Sequence, residues 1–253
     1  MHKTTLSILS VLFPLFFSSC SKVEQHDDTP TGNFEALWHI IDEKYCFFDY
    51  KAEEYGLDWD AVYRQYKRKI DDNMSKAGLF EVLGDMLGDL RGGHVNLSAP
   101  HDVARYWDCH EGEAANFSEE IQAKYLGTDY KIASGLRYTI LPDNIGYIYV
   151  PSFSSSIGEG NLDECLATLA LCRGLISDVR SNGGGNLNYA ETLAARFTNE
   201  KVLTGYICHK TGTGHSDFSE PQALYLESSN RIRWQKPVCV LTNRSSYSAT
   251  NDF

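Results

Sequence analysis

Gly174-Leu-Ile-Ser-Asp-Val-Arg-Ser-Asn-Gly-Gly-Gly185 is an apolar run that ends in a turn of bare backbone. Leu175 to Val179 reads as a buried strand, and helical periodicity resumes from Asn188 to Phe197. Glycine supplies the positive φ that a loose strand-to-helix turn requires. A second stretch has the same layout: Pro237-Val-Cys-Val-Leu-Thr-Asn-Arg-Ser-Ser-Tyr-Ser-Ala-Thr-Asn-Asp252. There Val238 to Thr242 reads as another buried strand, and Ser245 to Thr250 as a hydroxyl-bearing turn into a helix start. Taken alone, the glycines also fit a nucleotide loop, although GxGxxG is incomplete and no Walker lysine follows. Serines in turns are most often caps. Taken together, amides on one turn facing a serine on another are what acyl-transfer chemistry needs.

Strand and helix alternate outward from these turns. Tyr138 to Leu141 and Ile145 to Val150 read as a hairpin around Pro142-Asp-Asn144, and Leu162 to Cys172 as a helix. Val202 to His209, Ala223 to Leu226 and Ile232 to Trp234 read as strands. The order implies an α/β fold with a partly parallel sheet. Residues 33–98 read as a helical N-terminal subdomain of three helices. Its apolar stripes begin at Phe34, Trp59 (with Asp58 as N-cap) and Leu79. The segment 99–135 carries no assignable pattern, and residues 99–253 are taken as the α/β catalytic domain.

The N-terminus reads as a targeting segment over residues 1–20, with an apolar core from Leu6 to Phe17. Its Ser18-Ser19-Cys20 ending resembles a bacterial lipobox, in which Cys20 takes lipid after cleavage; Phe17 stands where leucine is usual. Residues 21–32 read as a polar linker. The expected location is therefore the bacterial cell envelope, with the membrane as a partner through the lipid. A net charge of -11 argues against a nucleic-acid partner, because phosphate binding needs clustered Lys and Arg. The remaining cysteines, including Cys109 beside His110 and Cys208 beside His209, lack metal-ligand spacing and read as buried or loop thiols.

His94 is framed by Arg91-Gly-Gly before it and an extended Val-Asn-Leu after it, a placement expected to expose it at an edge. At this point the chain resembles the S41 family of serine peptidases, the C-terminal (tail-specific) processing proteases and their tricorn-type relatives. Leu90-Arg-Gly-Gly-His-Val95 resembles the family's helix-end stretch, with Gly92 in place of Asp. Ile145-Gly-Tyr-Ile-Tyr-Val-Pro-Ser-Phe153 resembles its entry strand, and the two stretches quoted above resemble its glycine loop and serine motif.

The resemblance implies a crotonase/ClpP-like α/β catalytic core behind a helical N-terminal region. It implies a peptide or protein substrate, and neither a metal nor an organic cofactor. It makes Ser248 the nucleophile, with Ser246 as competitor, and His94 the base. It places the oxyanion hole at the amides of Gly183, Gly184 and Ala249. Asn251 stands where the family has an acid, and no full PDZ domain fits between 100 and 140. The family's core continues well past the serine, whereas this chain stops at Phe253, so the resemblance implies a truncated member. A serine helix cut at its first turn would have little dipole and no packing face. Two other readings remain open: a non-catalytic, vestigial peptide-binding lipoprotein, and a crotonase-type acyl-CoA enzyme, which the export signal disfavours.

Overall fold

Among the described residues four helices precede the first strand. The computed structural model describes residues 26–108 and 112–253; the leader over 1–20 with Cys20, and Cys109 with His110, lie outside the described residues. Helix α1 (Pro30–Lys44) is capped by Thr29, whose hydroxyl accepts from the Gly32 amide at 3.1 Å. Pro30 is its first residue, so the expected linker ends earlier than residue 32. Proline suits that position because its missing N–H would have had no partner. Helix α2 (Phe48–Tyr55) is an addition to the three helices expected, and it stops where Gly56 turns left-handed. It buries only Phe48, and so lacks the stripe that periodicity detects. Helix α3 (Trp59–Lys67) is capped by Asp58, and α4 (Lys76–Gly88) by Ser75. Phe34, Trp59, Met86 and Leu90 form the centre of this unit.

Strands β1 (Asn96–Ala99) and β2 (Asp102–Arg105) pair antiparallel and pack on α4. The hairpin therefore straddles the boundary expected at 98/99, and the N-terminal unit runs on to Arg105. A Cβ at Gly84 would meet Ala104 Cβ at 2.6 Å, which explains a glycine in mid-helix.

The segment left unassigned from sequence holds β2, α5 (Glu119–Leu126) and β3 (Lys131–Ala133). These elements are short, with little periodicity to read. The remaining strands are β4 (Leu136–Leu141), β5 (Ile145–Tyr149), β6 (Gly174–Asp178), β7 (Val202–Ile207), β8 (Gln222–Leu226) and β9 (Val238–Leu241). The main sheet has the order β3-β4-β5-β6-β9, antiparallel from β3 to β5 and parallel from β5 to β9. Helices α6 (Glu159–Leu169) and α7 (Leu187–Ala194) cover one face, burying Ile148, Leu166, Leu175 and Val179. Strands β7 and β8 form a separate hairpin. Its tip reaches the helical unit, where His215 Nε2 lies 2.7 Å from Asp42 Oδ1 and the ring stacks on Phe48.

Three expectations need correction. Among the described residues strand β9 has one neighbour, β6, and there Val238 and Val240 are 38% and 47% exposed rather than buried. Ile232 to Trp234 is not a strand. Its backbone partners belong to Arg196, which donates to the Ile232 carbonyl at 2.7 Å and whose own carbonyl accepts from the Trp234 amide at 2.8 Å. Helix α8 (Ala249–Asp252) does have a packing face: Ala249 and Thr250 are buried, and Phe253 packs between Phe153 and Phe197.

Arg196 is fully buried and pairs with Glu159 and Asp163, and Asp163 also pairs with Arg231. Hydrogen bonds from Arg231 and Arg196 hold the Asp163 carboxyl down at about 2, against an ordinary 3.8. A depressed carboxylate contributes stability above its unfolded value and loses it as pH falls through the folded one. Stability should therefore decline as the solution is taken from about pH 4 toward pH 2. Arg196→Ala would strip the Ile232 and Glu159 carbonyls of their buried donor, so it should lower stability by about 2–4 kcal/mol in urea unfolding at neutral pH.

Candidate active site

Strands β6 and β9 run parallel and adjacent, so both release their chains at the same end of the sheet. Ligand sites in parallel sheets form at that end. The ladder extends one step further, with the Val179 amide donating to the Leu241 carbonyl at 3.0 Å. Beyond it the two loops meet.

The glycine loop is set at its start by a buried ion pair. Arg180 binds Asp178 through both carboxylate oxygens, at 2.9 and 2.7 Å, and Tyr147 donates to the same carboxylate at 2.7 Å. Burial alone would raise the Asp178 carboxyl; the bonds from Arg180 and Tyr147 outweigh it and hold the group below its usual range.

Asn182, fully buried, then joins the loops. Its carbonyl accepts from the Tyr247 amide and from the Thr250 hydroxyl, both at 3.0 Å. Its side chain donates to the Val150 carbonyl at 3.0 Å and accepts from the Gly184 amide at 2.9 Å. Gly184, at φ +89°, lies so close to the serine loop that a Cβ would meet Tyr247 O at 2.6 Å and Ser248 Cβ at 2.7 Å.

The expected residues fall as follows. Ser248 stands between β9 and α8 at φ 57°, ψ -128°, a strained position for a residue with a Cβ. His94, 154 residues earlier in the chain, brings its Nε2 to 3.1 Å from Ser248 Oγ. The amides of Gly183 and Ala249 make no hydrogen bond among the described residues, and no atom would crowd a Cβ at Gly183. The Gly184 amide faces Asn182 instead, which removes it from the expected oxyanion set. Ser246 is turned away: it donates to the Val179 carbonyl at 2.9 Å and accepts from the Asn243 amide at 3.1 Å. Cys20 lies outside the described residues.

Tyr247 is a further site residue that sequence reading did not single out. Its oxygen lies 2.6 Å from His94 Nδ1, and the two rings stack at 4.5 Å and 20°. The hydrogen bond and the stacking hold the imidazole in place, and which partner donates depends on the ring nitrogen that carries the proton. A Cβ at Gly93 would lie 2.7 Å from the same oxygen. Gly93, the second residue of the diglycine, is thus the sequence trace of this contact. The cleft in front of Ser248 encloses about 400 Å³. A hydroxyl beside an imidazole, with two unengaged amides nearby, can lose a proton and stabilise an oxyanion.

Comparison with known proteins follows the same lines. The sequence profile of Peptidase family S41 matches residues 144–253, and that of the tricorn protease C1 domain matches residues 26–88. A crystal structure of a candidate peptidase from Parabacteroides merdae ATCC 43184 is 52% identical, with a TM-score of 0.83 over 89% of this chain and 71% of that one. Mature CPAF is 12% identical, with a TM-score of 0.63 over 89% and 80%. Its complex with lactacystin gives 12% identity and 0.62 over 89% and 81%. At that identity the two CPAF structures show the fold alone. No curated protein matches the chain.

Removing the Asn182 side chain would leave the Gly184 amide and Val150 carbonyl buried without partners. Asn182→Ala should therefore lower stability by about 2–4 kcal/mol in chemical denaturation. Glycine relieves the strain at position 248 where alanine does not. Ser248→Gly should be more stable than Ser248→Ala by about 1 kcal/mol in the same assay.

Proposed function

This chain belongs to peptidase family S41, and from that premise we propose that it is a serine endopeptidase acting at the bacterial cell envelope through an acyl-enzyme. The observation that carries the reading is the 3.1 Å separation of His94 Nε2 from Ser248 Oγ, across two units of the fold.

In the proposed reaction Ser248 Oγ attacks the carbonyl carbon of the scissile peptide bond while His94 Nε2 takes its proton. This requires the tautomer with its proton on Nδ1, toward Tyr247. The carbonyl oxygen becomes an oxyanion held by the amides of Gly183 and Ala249. Collapse breaks the C–N bond, and His94 returns the proton to the departing amine. Water then attacks the acyl-serine with His94 again as base, releasing the acid and restoring Ser248. Preorganised amides of this kind contribute about 3–4 kcal/mol each to such a barrier. The open face of Gly183 and the unengaged Ala249 amide support that assignment.

The envelope location is supported by the apolar leader and the Ser-Ser-Cys ending, with Cys20 as the lipid anchor. Among the described residues no helix is long and apolar enough to cross a membrane.

A fluorophosphonate probe should label wild type and Ser246→Ala but not Ser248→Ala. His94→Ala should slow labelling about 10³-fold. Labelling that persists in Ser248→Ala would reject this nucleophile. In cells, incorporation of labelled palmitate should disappear in Cys20→Ala; retention would reject the anchor.

A further inference from the structure

The cleft at Ser248 has one cationic wall. The β1–β2 hairpin pairs Asn96 with Arg105 and Ser98 with Val103. Paired residues project from one face of a hairpin, and these four line the cleft. The alternate residues face the other way: Leu97 packs on the helical core, and Ala104 approaches Gly84 of α4. The same alternation that anchors the hairpin to α4 therefore delivers Arg105 to the nucleophile's side.

Arg105 differs from several other arginines of this chain. Arg180, Arg196 and Arg231 each bind a carboxylate. Arg105 makes no ion pair among the described residues. Its guanidinium lies 5.5 Å from the centroid of the Trp107 ring, which also borders the cleft. Indole stacking holds a guanidinium by one face and leaves its fork of donors open for a planar, bidentate acceptor. Glu81, Asp85, Asp89, Asp102 and Asp108 line a neighbouring hollow that Arg105 also borders, none of them within ion-pair distance of it. They moderate the charge and leave the fork free. The chain as a whole carries -11 and repels acidic peptides, so an acidic side chain would gain most where Arg105 stands. Past His94 the surface continues into an aromatic hollow walled by Tyr45, Phe47 and Tyr50, so the cleft is open to chain on both sides of the dyad.

We propose that Arg105 is a specificity residue that receives an aspartate or glutamate side chain of the peptide substrate, next to the bond presented to Ser248. The inference rests on Ser248 as the reacting residue and adds the substrate class.

Binding tests it apart from turnover. Full-length Ser248→Ala would be titrated, by fluorescence anisotropy, with acetylated and amidated peptides that differ only by Glu or Gln at successive positions. At one position Glu should bind about 10-fold tighter, the scale of one charge-assisted bidentate pair. Adding Arg105→Gln should erase that ratio, and adding Arg105→Glu should turn the preference toward Lys. A control at a distant cation, Lys124→Gln, should keep the Glu preference. Unchanged melting temperatures would show that each variant is folded. Equal affinity for Glu and Gln at every position overturns the proposal. So does a preference that survives Arg105→Gln, or one that appears only when the peptide carries a free C-terminal carboxylate. Fluorophosphonate labelling of the otherwise wild-type chain separates the two readings. A Glu preference without labelling rejects the nucleophile and keeps Arg105; labelling without a preference does the reverse.

Discussion

The site depends on the position of one buried carbonyl, that of Asn182, which receives both the Tyr247 amide and the Thr250 hydroxyl. The two parallel strands bring their loops to the same end of the sheet, but a parallel ladder does not set how the loops beyond it meet. Asn182 does. It binds the serine loop through its backbone while its side chain grips the Val150 carbonyl and the Gly184 amide. Four hydrogen bonds on one fully buried residue fix the serine loop to the glycine loop and both to the core. A group so placed is worth more than its bonds taken singly, because losing it would strand several polar atoms away from water.

That grip also explains why the loop contains consecutive glycines and why they are not equivalent. Gly184 is needed for contact: its φ of +89° and its closeness to Ser248 leave no room for a side chain. Its amide is consumed in holding the loop's own shape. Gly183, with nothing near its missing Cβ, lines the cleft, and its amide makes no hydrogen bond among the described residues. Asn243 plays a smaller matching part on the other loop. It accepts from the Ser181 amide at 2.8 Å and the Ser245 amide at 3.1 Å, and donates to the Ala115 carbonyl at 2.8 Å. The strained Ser248 is held in a frame that is satisfied on both sides, as persistent backbone strain requires.

Much of this was legible in the residues, and the unread parts share physical causes. Apolar runs ending in glycines or serines marked β6, β9 and their turns; in β6, burial on both faces gives a continuous apolar signal. His94 was found through its glycine frame, yet the frame's purpose, space for the Tyr247 oxygen, depends on a residue 153 positions away. Local pattern carries no such distance. The same limit hid the role of Asn182, and it let Gly184 pass as an oxyanion donor when its amide was already engaged. Helix α2 and the strands β2 and β3 are too short or too weakly amphipathic to announce themselves. Ile232 to Trp234 has strand-like residues, but a buried arginine took its backbone groups first. Strand β9 reads as buried because its composition matches that of β6, and composition does not tell an edge from a centre.

The dyad draws its two members from different units, which sets a demand that neither unit meets alone. His94 hangs from the end of α4 in the helical unit, and Ser248 from the end of β9 in the main sheet. An error of 1 Å in such a pair costs about 10²-fold in rate, so the units have to be held against each other. Three contacts do this at different places. Tyr247 stacks on the imidazole at the dyad itself. The tip of the β7–β8 hairpin binds α1 through His215 and Asp42 and reaches α2 through Ser216 and Asp49. The glycine loop is joined, through Arg180 and the Asn116 carbonyl, to the segment that leads from the helical unit into α5. Each contact is modest and partly exposed, and no one of them would fix an orientation. Together they restrain the two units more than any one of them would. That arrangement lets an exposed histidine sit within hydrogen-bond reach of a serine on the other unit.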